Sequence, residues 1–339
     1  MSILRVALIG CGIISEDHIR AYARHAERAH IAVCCDIDAE KATQRAALVG
    51  GEARAVTDFQ AVLSDPEIDA VEICTPHPLH AEAGIAAARA GKHILCQKPL
   101  TKTLREADAL IAAAEEAGVT LFYGEVNHIL PAAVLAAAAV KEGRIGQLIG
   151  IQATAAHWQG GKYLSTAWRY DPNISGGGQL LDGGIHAIDL MLQIGGAIRS
   201  VSCFATRFRE ELGGEDTAVV NVRYEAGPLG TLFASQAAGI WLPGANLAAF
   251  GTEGVLTLGG PHGALALHRP DLPDRCETLL ERNPNGFEAM IGRYLDTIGG
   301  DVNPSPGSVG RENLRIVLAA YESARRGQEV SLEDMEKIS

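Results

Sequence analysis

Nowhere does the sequence run to about 20 uninterrupted apolar residues, so it offers no membrane-spanning helix. Positive charge is in deficit: 29 Lys and Arg face 41 Asp and Glu, a formal net charge of −12. That argues against nucleic acid or an anionic membrane as partner, because both reward clustered cations. Small anionic ligands stay open, since the N–H groups of one helix N-terminus can hold them. No CxxC pair occurs, and the seven cysteines (11, 34, 35, 74, 96, 203 and 276) are odd in number and scattered, which supports neither a disulfide framework nor a zinc ribbon. Most lie in apolar runs, where a free Cys behaves as a small core residue. There is no HExxH and no 2-His-1-carboxylate spacing, so no metal is expected. The opening MSILRVALIGCG has too short an apolar stretch for a signal peptide and no small-residue cleavage site. A reducing cytoplasm is the expected location.

What is present is a chain of 339 residues with 47% hydrophobic and 21% charged side chains, enough for two domains with sizeable cores. Through about residue 123, β-rich runs at 3–9, 31–35, 69–74, 93–96 and 119–123 alternate with helix-period stretches at 16–28, 39–48, 79–90 and 103–117. The runs at 3–9, 31–35 and 93–96 are nearly continuous in apolar residues, as in a parallel sheet covered on both faces. Thr103 and Glu106 have capping-box spacing, and Gly118 closes that helix. The alternation predicts an α/β N-terminal domain, residues 1–123, with a doubly wound parallel sheet and right-handed crossovers.

From 124 the pattern changes. An alanine-rich helix ending at Gly143 precedes longer, alternating strands near 147–156, 199–206, 216–224, 229–237 and 253–258. Residues 124–339 therefore read as an α+β domain with a large, mainly antiparallel open sheet. A glycine-rich stretch, 175–184, leads to a helix at 185–194. Helices near 287–298 and 309–326 close the chain, with the option of packing back on the first domain.

The first strand ends in GCGIIS. Gly10 permits a tight turn and Gly12 lets backbone approach a pyrophosphate at the helix N-terminus, where Ile13 and Ile14 follow as further cofactor candidates. Ser15 stands where a third glycine is common, and a small residue still allows helix–strand packing. The second strand ends at Asp36, placed for ribose hydroxyls. A carboxylate there repels a 2′-phosphate, and no Lys or Arg follows until Lys41, which favours NAD over NADP. Either Asp36 or Asp38 would serve as a helix cap; Asp38 is assigned as the cap and Asp36 as the ligand. Thr75, Pro76 and His80, in TPHPLH (75–80), follow the third strand, and ligands in such sheets lie beyond the strands' carboxyl ends.

HILCQKPLTK (93–102) raises a separate question. Lys98 and Pro99 follow a buried run, although lysine is among the residues least often buried and proline cannot donate to a sheet ladder. A strand running out into a solvated turn would explain them. So would a lysine delivered to the ligand edge of the sheet.

Together, GCGIIS, CDIDAEKA, TPHPLHAE, AGKHILCQKPL and WRYDPNISGGGQLLDGGIHAIDL make the chain resemble the glucose–fructose oxidoreductase / inositol dehydrogenase / MocA family over essentially its whole length. The resemblance implies a Rossmann NAD-binding domain and an α+β domain for substrate and oligomerisation. It implies a cis peptide between Lys98 and Pro99, with Lys98 between nicotinamide and substrate, its charge available to a developing alkoxide. Asp182 and His186, four apart on one helix face, would meet the substrate, with His186 as general base and Asp182 as its partner. A plain helix-face Asp–His pair is the bland alternative, and Asp189 reads as structural. Trp168, Arg169 and His157 fall where the family often selects its substrate, although a surface ion pair would also account for Arg169. Two positions depart from the family. Gln97 replaces the usual glutamate beside Lys98, removing a negative charge from what is otherwise a cofactor-binding stretch. In YGEVNHILPA, Asn127 and His128 stand where many relatives carry arginines, which points to a different substrate.

The resulting expectation is an NAD-dependent oxidoreductase interconverting a secondary alcohol and a ketone on a sugar, inositol-like cyclitol or related polyol. Two alternatives remain open: a redox-neutral enzyme that recycles tightly held NAD, and a non-catalytic NAD- and sugar-binding regulator. Following the resemblance, a homodimer or homotetramer is expected.

Overall fold

The computed structural model describes residues 3–158, 160, 166–239, 245–259 and 263–338. The chain divides into two compact units, Met1–Val126 with Asn285–Arg311, and Asn127–Pro284 with Glu312–Ser339.

Six parallel strands form the sheet of the first unit: β1 (Leu4–Ile9), β2 (Ala29–Cys35), β3 (Arg54–Val56), β4 (Ala70–Ile73), β5 (His93–Gln97) and β6 (Leu121–Gly124), in the order β3-β2-β1-β4-β5-β6. Helices α1 (Ser15–Ala23), α2 (Ala39–Val49), α3 (Phe59–Ser64), α4 (His80–Arg89) and α5 (Leu104–Ala117) make the crossovers. The winding direction reverses between β1 and β4, which puts a ligand crevice outside their carboxyl ends. Val6, Ala7 and Leu8 of β1 and Ile94, Leu95 and Cys96 of β5 have no exposed surface, consistent with strands covered on both faces. The α5 capping box forms as expected, with Thr103 accepting from the Glu106 N–H and Glu106 accepting from the Thr103 N–H, and is worth about 1 kcal/mol. Gly118 ends the helix at φ 66°. α1 stops at Ala23 rather than near 28, because His25 accepts from Arg28 and Ala29 in a turn that sends the chain into β2.

In the second unit, α6 (Pro131–Lys141) leads into β7 (Leu148–Ala156). After α7 (Pro172–Ser175), a π-helical turn, Leu180–Gly184, runs straight into α8 (Ile185–Gly195). Then follow β8 (Ile198–Thr206), β9 (Thr217–Tyr224), β10 (Leu229–Ser235), β11 (Ala245–Gly251), β12 (Val255–Gly259), β13 (Ala264–His268) and β14 (Cys276–Leu280). α9 (Gly286–Ile298) returns to the first unit, α10 (Gly307–Arg326) begins there and ends in the second, and β15 (Val330–Ser331) and α11 (Leu332–Ile338) finish the chain.

The nine strands lie in the order β14-β13-β12-β11-β7-β10-β9-β8-β15, antiparallel except for the β7–β10 pair. Alternation along them is clear: Ala218, Val220 and Val222 of β9 and Leu232 and Ala234 of β10 are buried on the face that α8 covers. The opposite face is open and carries Phe204, Leu229 and Phe233 at 72%, 55% and 42% exposure. Among the described residues, no helix is long and apolar enough to cross a membrane.

Candidate functional site

At the carboxyl edge of the first sheet, Gly10 has φ +92°, and a Cβ there would lie 2.6 Å from the Cys74 carbonyl carbon and 2.7 Å from the Thr75 nitrogen. Only glycine fits between β1 and β4. A Cβ on Gly12 would meet nothing within 4 Å, so this backbone faces open space at the start of α1. Ile13 and Ile14 are half-buried beside it, and Ile14 is the N-cap with no side-chain cap. The Glu16 and Asp17 N–H groups turn back to the Ile13 and Ile14 carbonyls at 3.3 and 3.1 Å, so a ligand here would meet the backbone of the turn ahead of them. Ser15 makes good the missing third glycine by donating to the Gly12 carbonyl at 2.5 Å while accepting from Arg45 at 2.9 Å.

Asp36 accepts the N–H of Cys11 at 2.8 Å through one oxygen and that of Asp38 at 2.9 Å through the other. Each oxygen keeps a second lone pair for a hydroxyl. Asp38 is the helix cap, accepting from the Glu40 and Lys41 N–H groups, as the sequence suggested, and Asp36 stays outside that cap. The nearby cations are engaged elsewhere: Lys41 pairs with Asp38 at 3.3 Å and Arg45 with Glu16 at 2.9 Å. A tight glycine turn, a helix N-terminus without a side-chain cap and an oriented carboxylate fit a dinucleotide.

Thr75 and Pro76 lie half-buried at the end of β4. His80, which the sequence placed at the cofactor, is 1% exposed and turns its ring inward, Nδ1 to the Pro99 carbonyl at 2.8 Å and Nε2 to the Thr75 carbonyl at 2.9 Å. It ties two loops of the ligand edge together. Burial, aided by the nearby Lys98 charge, holds its pKa below the ordinary imidazole range. Gln97, the last residue of β5, is buried with its amide against His18. Lys98 follows, half-buried at the strand end, and its peptide to Pro99 is cis.

A second set assembles within the other unit. Asp182, on the π-helical turn, accepts from Arg169 Nε at 3.3 Å, and Arg169 also donates to Thr166 Oγ1 at 2.8 Å. The guanidinium stacks 4.3 Å over the Trp168 ring, so this arginine is held by an aromatic face and a carboxylate together. His157, just past β7, is half-buried. Burial is the main cause lowering its pKa; Asp182 opposes that and His186 adds to it, so the three groups share one electrostatic neighbourhood. His186, in the first turn of α8, is half-buried. His157, Arg169, Asp182 and His186 thus form one polar cluster. Asn127 is half-buried at the start of this unit, while His128 is bonded through Nδ1 to Asp189 at 2.9 Å. Asp189 is 1% exposed and also accepts from Asn313 at 2.8 Å, which makes it a structural anchor for His128.

Residues 4–125 match the model of an oxidoreductase family with an NAD-binding Rossmann fold, GFO/IDH/MocA, and residues 134–257 match the C-terminal domain model of that family. The chain belongs to the GFO/IDH/MocA oxidoreductase family. This GFO/IDH/MocA chain is 30% identical to a D-apiose dehydrogenase of Paraburkholderia graminis, over 97% of the chain and 90% of that protein. It is equally 30% identical to a 1,5-anhydro-D-fructose reductase of Ensifer adhaerens, over 97% of the chain and 98% of the relative. Among solved structures, it superposes on the WlbA dehydrogenase from Bordetella pertussis in complex with NADH and UDP-GlcNAcA with a TM-score of 0.84 and 26% identity, covering 97% of this chain and 98% of that one.

Two residues that hold the GFO/IDH/MocA glycine stretch escaped sequence reasoning. Glu215 accepts from the N–H groups of Gly178 at 3.0 Å and Leu180 at 2.9 Å and from the Tyr321 hydroxyl at 2.8 Å. Tyr321 in turn accepts from the N–H groups of Gly178 and Leu181. A carboxylate at the head of a helical segment is well placed to meet its unpaired donors. Burial pushes the Glu215 pKa up, against these hydrogen bonds. A Cβ on Gly178 would lie 1.9 Å from the Glu215 carbonyl oxygen, and one on Gly177 would lie 2.3 Å from the Tyr321 hydroxyl, which explains the run of glycines before Asp182. Neither partner carries a local motif; only the fold brings residues 215 and 321 to 178.

Proposed function

We propose that this protein is an NAD-dependent dehydrogenase or reductase that interconverts a secondary alcohol and a ketone on a sugar, cyclitol or related polyol. The observation that carries the reading is Lys98 at the same carboxyl edge as the Gly10–Gly12 turn and the oriented Asp36 carboxylate. Similarity to a D-apiose dehydrogenase and a 1,5-anhydro-D-fructose reductase supports the carbohydrate class. NAD is favoured over NADP because Asp36 repels a 2′-phosphate and the nearby Lys41 and Arg45 are paired with acids.

Gly10, Gly12 and the start of α1 hold the pyrophosphate, Asp36 the ribose, and Thr75 and Pro76 border the cofactor. The bound nicotinamide supplies the hydride acceptor, or the donor in the reverse direction. Lys98 stabilises negative charge on the reacting oxygen. His186 removes the hydroxyl proton, or returns it to the ketone in reduction, with Asp182 as its electrostatic partner. Asn127, His157, Trp168 and Arg169 orient the hydroxyls of the substrate. The open apolar face of the second sheet supports a homo-oligomer, and seven free cysteines, six of them buried, suit a reducing cytoplasm.

The test is reduced-nicotinamide absorbance with NAD or NADP against inositols, aldoses, and deoxy and acidic sugars. NAD-linked turnover of one class, lost in Lys98→Ala and His186→Ala, is expected. Silence across the panel with NAD that survives dialysis would replace this reading with a redox-neutral cycle. Freely exchanging NAD without turnover would replace it with a regulator.

A further inference from the structure

Behind the ligand edge of the first unit lies a line of buried polar side chains that the proposed chemistry does not use. Glu72 sits within β4, between Val71 and Ile73, with no exposed surface. A carboxylate in that position is costly by several kcal/mol unless it is paired and hydrogen-bonded. It is both. The Tyr22 hydroxyl donates to Oε2 at 2.7 Å, and His18, one turn earlier on α1, meets Oε1 directly through Nδ1. The other ring nitrogen of His18 meets the Gln97 side-chain amide at 2.8 Å. Lys98 is the next residue.

His18 and Glu72 are fully buried, and Tyr22 and Gln97 nearly so. The edge of Phe287 on α9 closes over the imidazole at 5.1 Å between ring centroids, and the buried Tyr294 of α9 and Cys74 complete the surroundings. Burial alone would push the His18 pKa down. The Cys74 thiol and the Glu72 carboxylate outweigh it and hold His18 above the ordinary imidazole range. An imidazolium beside a carboxylate is neutral as a pair, the form an apolar interior tolerates. An amide at 97 suits either state of the ring, because it can turn its carbonyl to an N–H or its NH2 to a bare nitrogen.

We propose that Tyr22, Glu72, His18 and Gln97 form a buried relay that positions Lys98, with Glu72 and His18 as positioning residues for the lysine. This rests on the reading of Lys98 as the group that holds the reacting oxygen. Gln97 is fixed by its main chain to Gly124 on β6 and by its side chain to α1, so Lys98 leaves the strand from an anchored residue. The same helix begins at the glycine turn, and the relay therefore couples the dinucleotide end of α1 to the lysine. His18, Glu72 and Cys74 could also supply three metal ligands. Because His18 and Glu72 touch, an ion between them would have to push them apart.

The experiment uses the full chain with imidazole-labelled histidine and follows low-field imidazole N–H protons by NMR, together with kcat, KM and NAD Kd. The wild type should show one slowly exchanging low-field proton, lost in Glu72→Gln and His18→Asn and retained in Lys98→Ala. In the two relay variants kcat should fall about tenfold or more while NAD Kd stays within about threefold. Glu72→Gln combined with Lys98→Ala should be no slower than Lys98→Ala alone. A paired Glu72→Met/His18→Leu variant leaves no unpaired buried charge and provides a folded protein if the single variants do not fold; it too should lose kcat. Relay variants that keep wild-type kcat, losses that multiply with Lys98→Ala, absence of the low-field proton, or stoichiometric zinc released from purified protein on unfolding would each overturn the relay. Undiminished turnover by Lys98→Ala would instead overturn the role given to the lysine.

Discussion

The carboxylate of Asp36 receives the main-chain N–H of Cys11, the residue between the two glycines of the first turn, at 2.8 Å. The group proposed for the ribose therefore also holds the turn proposed for the pyrophosphate. Asp36→Ala should weaken NAD binding roughly 10- to 100-fold, the range expected for lost hydrogen bonds to a charged group. Ile37 beside it is 94% exposed, so Asp36→Ser with Ile37→Arg should bring NADP affinity up to that of NAD. Fluorescence titration with both cofactors checks the pair, and unchanged NAD affinity in Asp36→Ala would remove Asp36 from the site.

Arg169 is held by the plane of Trp168 and by Asp182, and this geometry is specific to a guanidinium. Arg169→Lys keeps the charge but loses the stack and the fork. It should raise KM about tenfold while kcat changes by less than about threefold, the signature of binding lost equally in ground and transition states. A fall in kcat at constant KM would instead make Arg169 a group of the transition state.

Tyr321 and Glu215 pin the glycine stretch ahead of Asp182. Tyr321→Phe removes the hydroxyl that accepts from Leu181 and donates to Glu215, and leaves Gly178 with Glu215 as its remaining acceptor, at a cost of about 1–3 kcal/mol. Thermal unfolding should shift down accordingly, and kcat should fall with it because Asp182 and His186 ride on the same segment. A lower melting temperature with unaltered kcat would show that the pin serves stability alone.

Elements with strong local chemistry were legible in the sequence. The α5 helix is written in Thr103, Glu106 and Gly118, and α2 in the Asp38 cap. The choice of Asp38 over Asp36 as the cap was also readable, because Asp38 opens a helix and Asp36 follows a strand. β3 was not readable: its three residues lack buried alternation, and its place is set by pairing with β2. β11, β13 and β14 escaped for a similar reason, being short stretches defined by their neighbours. The candidate site was legible where one segment holds the chemistry, as around Lys98 or Asp182 and His186. Partners such as Glu72, Glu215 and Tyr321 were hidden, since each acts on a residue brought to it only by the fold.

Acid should weaken the fold through His93. Burial first of all lowers its pKa below 6.5, and its Nδ1 accepts the Thr120 N–H at 3.1 Å, a bond the protonated ring cannot make. A histidine depressed in the folded state favours folding above its unfolded pKa, and that contribution is lost as pH falls below about 6.5 toward the folded value. The slope per group is at most about 1.4 kcal/mol per pH unit. Chemical denaturation between pH 7.5 and 5.5 should show a shallower decline in His93→Asn than in the wild type. Equal slopes would place the acid sensitivity elsewhere.

The open face of the second sheet presents Phe204 and Phe233, which pair respectively with and across from Val219 on β9. Phe204→Glu with Phe233→Lys should shift sedimentation from an oligomer to a monomer, and the wild type at monomer mass would dismiss this face as an assembly surface.

The dinucleotide unit is not continuous in the chain. Tyr123 on β6 donates its N–H to the Ser305 carbonyl and accepts from the Ser305 hydroxyl, Phe122 meets the Tyr294 ring edge-on at 5.7 Å, and Arg28 pairs with Asp296 at 2.8 Å. During synthesis β6 emerges well over a hundred residues before the segment that covers it, with strands β7 to β14 of the second sheet made in between. The nascent N-terminal unit therefore waits with one flank bare, and such long-range closure slows folding. Shuffling this unit between relatives as a simple N-terminal cassette would leave Phe122 in water, so a working graft has to carry both segments.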